Sequence, residues 1–133
     1  MLARMAALAG VFGAGAALGA DADIAVPSGQ PITFVEVVRD AQGPEGLTYR
    51  FRFLAPQIAR EGGLVTAEQA LDDMAQICDS FALPRVSSAL PEVQQIVISL
   101  SDRPVEFGQT DPEATQYFEA FSPDGDACIW NGF

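Results

Sequence analysis

Gln94-Gln-Ile-Val-Ile-Ser-Leu-Ser-Asp-Arg-Pro-Val-Glu-Phe107 is the stretch from which the fold is read. Its centre, Ile96, Val97, Ile98 and Leu100, is the densest run of β-branched and aliphatic residues beyond residue 22. A short apolar run bounded by turn formers is the pattern of a strand buried on both faces. A helix-patterned segment precedes it and a hairpin-like segment follows. The expectation is a central strand from about Val93 to Ser101, with one small sheet built around it.

Downstream, Asp102-Arg103-Pro104 reads as a turn or break. Pro104 lacks the N–H that a ladder needs, so Val105-Glu106-Phe107 is expected at a strand start or a sheet edge. Asp111-Pro112-Glu113 resembles a helix start, with Asp as N-cap and Pro at the first helical position. Gln116 to Phe121 is ambiguous. Ala114, Tyr117, Phe118 and Phe121 fit a helical stripe, while the same segment has strand composition and faces Ala127 to Trp130 across the turn cluster Ser122 to Asp126. A helical turn followed by a terminal hairpin is the expectation.

Upstream, Thr66-Ala67-Glu68-Gln69 is a capping box, with Glu68 in the first turn where the helix dipole favours negative charge. Ala67, Ala70, Leu71, Met74, Ile77, Cys78 and Phe81 then recur on one helical face, and Asp72, Asp73, Gln76 and Asp79 on the other. One amphipathic helix is expected over Ala67 to Ala82, stopped by Pro84. Gln57 to Gly63 is a connector with room for one helical turn.

Earlier still, Pro31 to Arg39 and Leu47 to Leu54 have strand composition and are joined by a Gly-containing loop, which reads as a hairpin. Tyr49, Phe51 and Phe53 lie on one face and Thr48, Arg50 and Arg52 on the other. Pairing Arg39 with Leu47 adds Val35 and Val37 to the aromatic face. It leaves Phe34, Glu36 and Val38 beside the two arginines, with Glu36 across from Arg50. Two readings of that mixed face follow. One is a solvated cross-strand ion pair worth at most about 1 kcal/mol. The other is a docking face that mixes arginine with apolar groups.

These elements give a fold class: α+β, a small, mainly antiparallel sheet of about five strands with one amphipathic helix packed on it, in the order β-β-α-β-β-β. The domain organisation is a leader, residues 1–22, and a single domain, residues 23–133. Arg4 supplies a positive start, Met5 to Leu18 is uncharged, and Ala20-Asp21-Ala22 fits a signal-peptidase site, with Ala20 an alternative end. An apolar run of 14 residues spans only about 21 Å as a helix, short of the bilayer's roughly 30 Å. A cleaved signal peptide and a periplasmic or secreted protein, with no membrane anchor after cleavage, are expected.

All 18 acidic residues lie at or beyond Asp21, against seven arginines in the whole chain and no Lys or His. Such a surface repels phosphate backbones and anionic lipid, so no nucleic-acid partner is expected. Without His or Lys there is no Ser-His-Asp triad, Cys-His pair, Ser-Lys dyad or Schiff base. No glycine pattern marks a phosphate loop or dinucleotide site, and no cofactor or metal is expected. Asp124-Gly125-Asp126 lacks the spaced ligands of a calcium loop and reads as a turn. Asp102-Arg103, beside Ser99 and Ser101, reads as a turn stabilised by side-chain-to-backbone bonds, or as a contact for a small polar ligand. Carboxylate chemistry by Glu106, Asp111, Glu113 or Glu119 is the residual enzymatic option.

The segments Ile96-Val-Ile-Ser-Leu-Ser-Asp-Arg-Pro-Val-Glu-Phe-Gly108 and Cys128-Ile-Trp-Asn-Gly-Phe133 resemble a family of small exported bacterial proteins of unknown function, as do Met74-Ala-Gln-Ile-Cys78 and Ala82-Leu-Pro84. The resemblance covers nearly all of the chain beyond the leader. It implies export and a single domain, and transfers no activity or site residue.

The functional expectation is an exported, non-catalytic envelope module that binds a protein or peptide partner. Its patch would be Arg39, Arg50 and Arg52, with Phe34 beside them. The alternatives are a small-molecule carrier with its ligand between helix and sheet, and a carboxylate-based hydrolase. The remaining expectation is a disulfide between Cys78 and Cys128, the only cysteines. An even count in an exported chain indicates a bridge. Cys78 lies on the core stripe of the helix, and Cys128 alternates with Trp130 on the last strand. The bond would pin helix to sheet, with a structural rather than redox role, since no C-x-x-C is present.

Overall fold

Gln95–Ser101 forms a strand of seven residues, every one of them buried. It is the middle strand, β3, of a five-stranded sheet ordered β1-β2-β3-β4-β5. The computed structural model describes residues 24–43 and 46–132; the expected signal peptide and the tip of the first hairpin lie outside them. The strands are β1 (Thr33–Gly43), β2 (Gly46–Leu54), β3, β4 (Gln116–Asp124) and β5 (Ala127–Trp130). β2 and β3 are parallel because a helical crossover joins them, and the other three pairings are antiparallel. The α+β class and the order β-β-α-β-β-β are as the sequence reads.

The helical crossover is longer than expected. Helix α1 (Ala67–Ile77) begins at Thr66, whose hydroxyl accepts from the Gln69 N–H while Gln69 Oε1 accepts from the Thr66 N–H. It does not stop before Pro84. A π turn over Cys78–Ala82 continues into α2 (Leu83–Val86), with the Leu83 N–H reaching back five residues to the Cys78 carbonyl. Widening the turn there absorbs a proline, which has no N–H to give and crowds the preceding turn.

The helix side of the sheet is closed by apolar packing. Phe51, Phe53, Ile96, Ile98, Leu100 and Phe121 meet Ala70, Met74, Ile77 and Cys78 from the helix. Phe34, Phe51 and Phe53 surround Phe81 at centroid distances of 5.0, 6.3 and 5.5 Å. Here the register of the first hairpin differs from expectation. Val38 pairs with Arg50, Val37 with Phe51 and Glu36 with Arg52, and the register shifts between Phe34 and Glu36 and again beyond Val38. The extra residue, Val35, lets Phe34 sit across from Phe53 on the helix side and pushes Val35 into solvent. Burying a phenylalanine ring against three others outweighs a regular ladder.

Two further ties, one polar and one covalent, hold the helix in place. Asp73, which falls on the expected polar stripe, is fully buried and accepts from the Ser28 N–H (2.9 Å), the Ser28 hydroxyl (2.5 Å) and Gln30 Nε2 (2.8 Å). The patternless lead-in of the sequence is thereby clamped to α1. Cys78 and Cys128 form the expected disulfide, their Cα atoms 6.1 Å apart, and Asp79 Oδ1 accepts from the Cys128 N–H beside it. Among the described residues no helix is long and apolar enough to cross a membrane.

Candidate functional site

The other face of the sheet carries different chemistry. Alternation along β3 turns Gln95, Val97, Ser99 and Ser101 away from the helix. Register places Arg52 beside Ser99, Arg50 beside Val97, and Phe118 beside Ser99 from the other flank. The segment 103–109 lies against Arg50, Arg52, Ser99 and Ser101. Val105-Glu106-Phe107 is therefore neither strand nor sheet edge, which corrects the expectation from sequence. It crosses the sheet as a roof.

The roof is tied at three points. At its base, the Asp102 N–H donates to the Thr115 carbonyl and Asp102 Oδ1 accepts from the Thr115 N–H at 2.7 Å. The turn read from sequence is present, but the Ser101 hydroxyl rather than Asp102 closes it, donating to the Arg103 carbonyl at 2.6 Å, while Arg103 pairs with the Asp102 carboxylate at 3.1 Å. Burial pushes the Asp102 carboxyl up, but the Thr115 N–H and the Arg103 guanidinium more than offset this and hold it below the usual carboxylate range. Midway, Arg52 ion-pairs with Glu36 and donates to the Val105 carbonyl. Further on, Phe107 lies over both Arg50 and Arg52, its ring centroid 5.7 Å from each guanidinium carbon.

Openings lie on both flanks of the roof. One, of about 570 Å³, is bounded by Val35, Glu36, Arg52, Leu54, Ser99, Ser101 and Arg103. The other, of about 290 Å³, is bounded by Arg50, Gln109, Gln116 and Phe118. Arg52, Glu106 and Phe107 line both. Burial, and then the like charge of Arg52, pull the Arg50 guanidinium below its ordinary value.

Of the patch read from sequence, Arg50 and Arg52 are brought together here. Arg39 is exposed on β1 and borders neither opening. Phe34 does not belong to the patch, because the bulge at Val35 turns it into the core. Arg103, read from sequence beside Ser99 and Ser101, does line the larger opening with them, whereas Val35, Phe107 and Phe118 are the residues the sequence reading missed. The signal was partly there: polar Gln95, Ser99 and Ser101 alternate with apolar Ile96, Ile98 and Leu100, marking a second, polar face on the central strand.

The other sequence candidates disperse. Glu106 lies on the roof, whereas Glu119 accepts from Trp130 Nε1 at 2.7 Å on the helix side. Asp111 closes its own turn, accepting from the Glu113 N–H at 2.9 Å. The ambiguous segment is strand β4, and Gly125 and Asp126 form the tight turn between β4 and β5, with φ of +65° at Gly125. Among the described residues no group of three or more His, Cys, Asp or Glu is arranged to hold a metal ion.

The class is thus an α+β domain whose single sheet is sealed by a helix on one face and roofed by a loop over arginines on the other. The chain belongs to a family of unknown function (DUF6497), whose model matches residues 7–133. No curated protein and no solved structure matches it.

Proposed function

We propose that this is an exported, non-catalytic module of the cell envelope that binds a protein or peptide partner across the roofed face. The partner's docking segment is acidic and carries an aromatic or aliphatic residue. The observation that carries this reading is the gathering of Arg50, Arg52 and Arg103, three of the seven basic residues of a chain with net charge −11, around the two openings that flank the roof. Exposed Val35 and Phe118 border one opening each and exposed Phe107 borders both. Arginine with aromatic residues is the composition that dominates binding energy at interfaces. The disulfide supports an oxidising compartment, as does the leader pattern of residues 1–22.

A second reading is a small-molecule carrier, favoured by an opening whose volume of about 570 Å³ falls within the range of ligand pockets. Its ligand would lie on the roofed face rather than between helix and sheet, where Phe34, Phe51, Phe53 and Phe81 fill the space.

Selection of a random peptide library on the mature protein separates the two. The module reading expects enrichment of Asp or Glu next to aromatic or aliphatic residues, lost in Arg50→Glu/Arg103→Glu. Enrichment of basic peptides, or equal enrichment by that variant, contradicts it. A small molecule released from the purified protein on unfolding favours the carrier.

A further inference from the structure

Arg50 stands apart from the other two arginines of the site. Arg52 has Glu36 and Arg103 has Asp102, but Arg50 forms no ion pair among the described residues. It is half-buried, and its guanidinium carbon lies 5.7 Å from the Phe107 ring centroid and 5.3 Å from that of Phe118. A partly desolvated cation beside a second cation, with no ion pair among the described residues, is costly unless something else supplies the charge. Aromatic faces offset part of that cost and leave the guanidinium edge free.

The surroundings select the kind of anion. The opening beside Arg50 holds about 290 Å³, room for one side chain or small acid. Both flanking rings are exposed, Phe107 by 53 % and Phe118 by 43 %, so they offer apolar cover to whatever carries the charge. Glu106 lines the same opening and repels a dianion more than a monoanion. A planar carboxylate matches the guanidinium fork in a bidentate pair. We propose that Arg50, between Phe107 and Phe118, anchors a single carboxylate attached to an aromatic or aliphatic group of the ligand. This deepens the reading above and rests on it only for the identity of the carrier molecule.

The test is a titration of ¹⁵N-labelled mature protein with phenylacetate, following the Arg50 Nε–Hε resonance, with acetate, benzylamine and inorganic phosphate as comparisons. The expected result is a saturable shift of Arg50 with phenylacetate. Acetate should bind more weakly, and benzylamine should leave the resonance in place. Arg50→Gln should weaken phenylacetate binding by about tenfold or more, and Arg50→Lys by less, since a point charge loses the bidentate fit. Phe118→Ala should reduce binding of phenylacetate more than that of acetate, and Glu106→Gln should strengthen both. N-acetyl-phenylalanine and N-acetyl-glutamyl-phenylalanine amide then assign the carboxylate to a chain terminus or to a side chain. Phosphate binding as tight as phenylacetate at Arg50, or phenylacetate affinity unchanged in Arg50→Gln, overturns the proposal. If phenylacetate binds at Arg50 while no peptide is selected, the site stands and the peptide-module reading falls. If peptides bind Arg50→Gln as they bind the wild type, the reading stands and the site falls.

Discussion

The two faces of one sheet are built on opposite principles. On the helix side, strands and helix interlock through phenylalanines, and the buried Asp73 carboxylate accepts from Ser28 and Gln30. On the roofed side, a short loop lies over arginines and hydroxyls, tied by a few polar contacts, with open volume on both flanks. The first face stores stability. The second leaves charge and apolar surface incompletely used, which is the condition for binding something else.

If that division holds, perturbations should sort by face. The largest effect is expected from the disulfide. Reduction, or Cys78→Ser/Cys128→Ser, frees a loop with a sequence separation of 50 and should remove about 4 kcal/mol, comparable to much of a small domain's margin. Denaturant midpoints with and without reductant measure it; coincident midpoints contradict the structural role. Next comes Asp73→Ala, which leaves the half-buried Ser28 and the buried Gln30 donors without an acceptor. A loss of about 3 kcal/mol is expected, with Asp73→Asn costing less. A cost within error of zero would mean that the lead-in is not clamped to the helix.

The helix side was legible in the sequence because its rules are local. The capping box, the apolar stripe and the paired cysteines each declare themselves within a few residues or by counting. Asp73 escaped because its partners lie in a lead-in with no periodicity. The roofed face was half legible: Arg50 and Arg52 stood out as cations on a strand of an acidic chain. Phe34 was misplaced because a bulge changes which face a residue occupies, and nothing local in Thr33-Phe-Val-Glu36 announces one. Phe107 joins the site only through the path of a loop, which composition does not encode.

Smaller effects should come from the roof. Arg52→Ala removes its tie to Val105 and its pair with the half-exposed Glu36, at a cost of about 1–2 kcal/mol. Amide exchange should quicken over residues 103–109 and stay unchanged in α1; equal quickening in both would mean that the faces are not independent. The smallest expected effect is a pH dependence at Asp102. Its carboxyl is lowered in the folded state, so the stability it contributes is fully present above the ordinary carboxylate value of about 4. That stability is lost as pH falls through the lowered folded value. Asp102→Asn should therefore be less stable than wild type at neutral pH, with the difference shrinking on acidification. A gap that widens as pH falls contradicts the assignment.

The central claim, that binding belongs to the roofed face, is tested most directly by chemical-shift mapping. The probe is a short acidic peptide interleaving Glu with Phe and Leu, added to ¹⁵N-labelled protein of residues 23–133. The account predicts shifts at Arg50, Arg52, Ser99, Phe118 and residues 103–109, with α1 unaffected. Shifts centred instead on the helix side, around Glu68, Leu71 and Trp130, or none at saturating peptide, would contradict it.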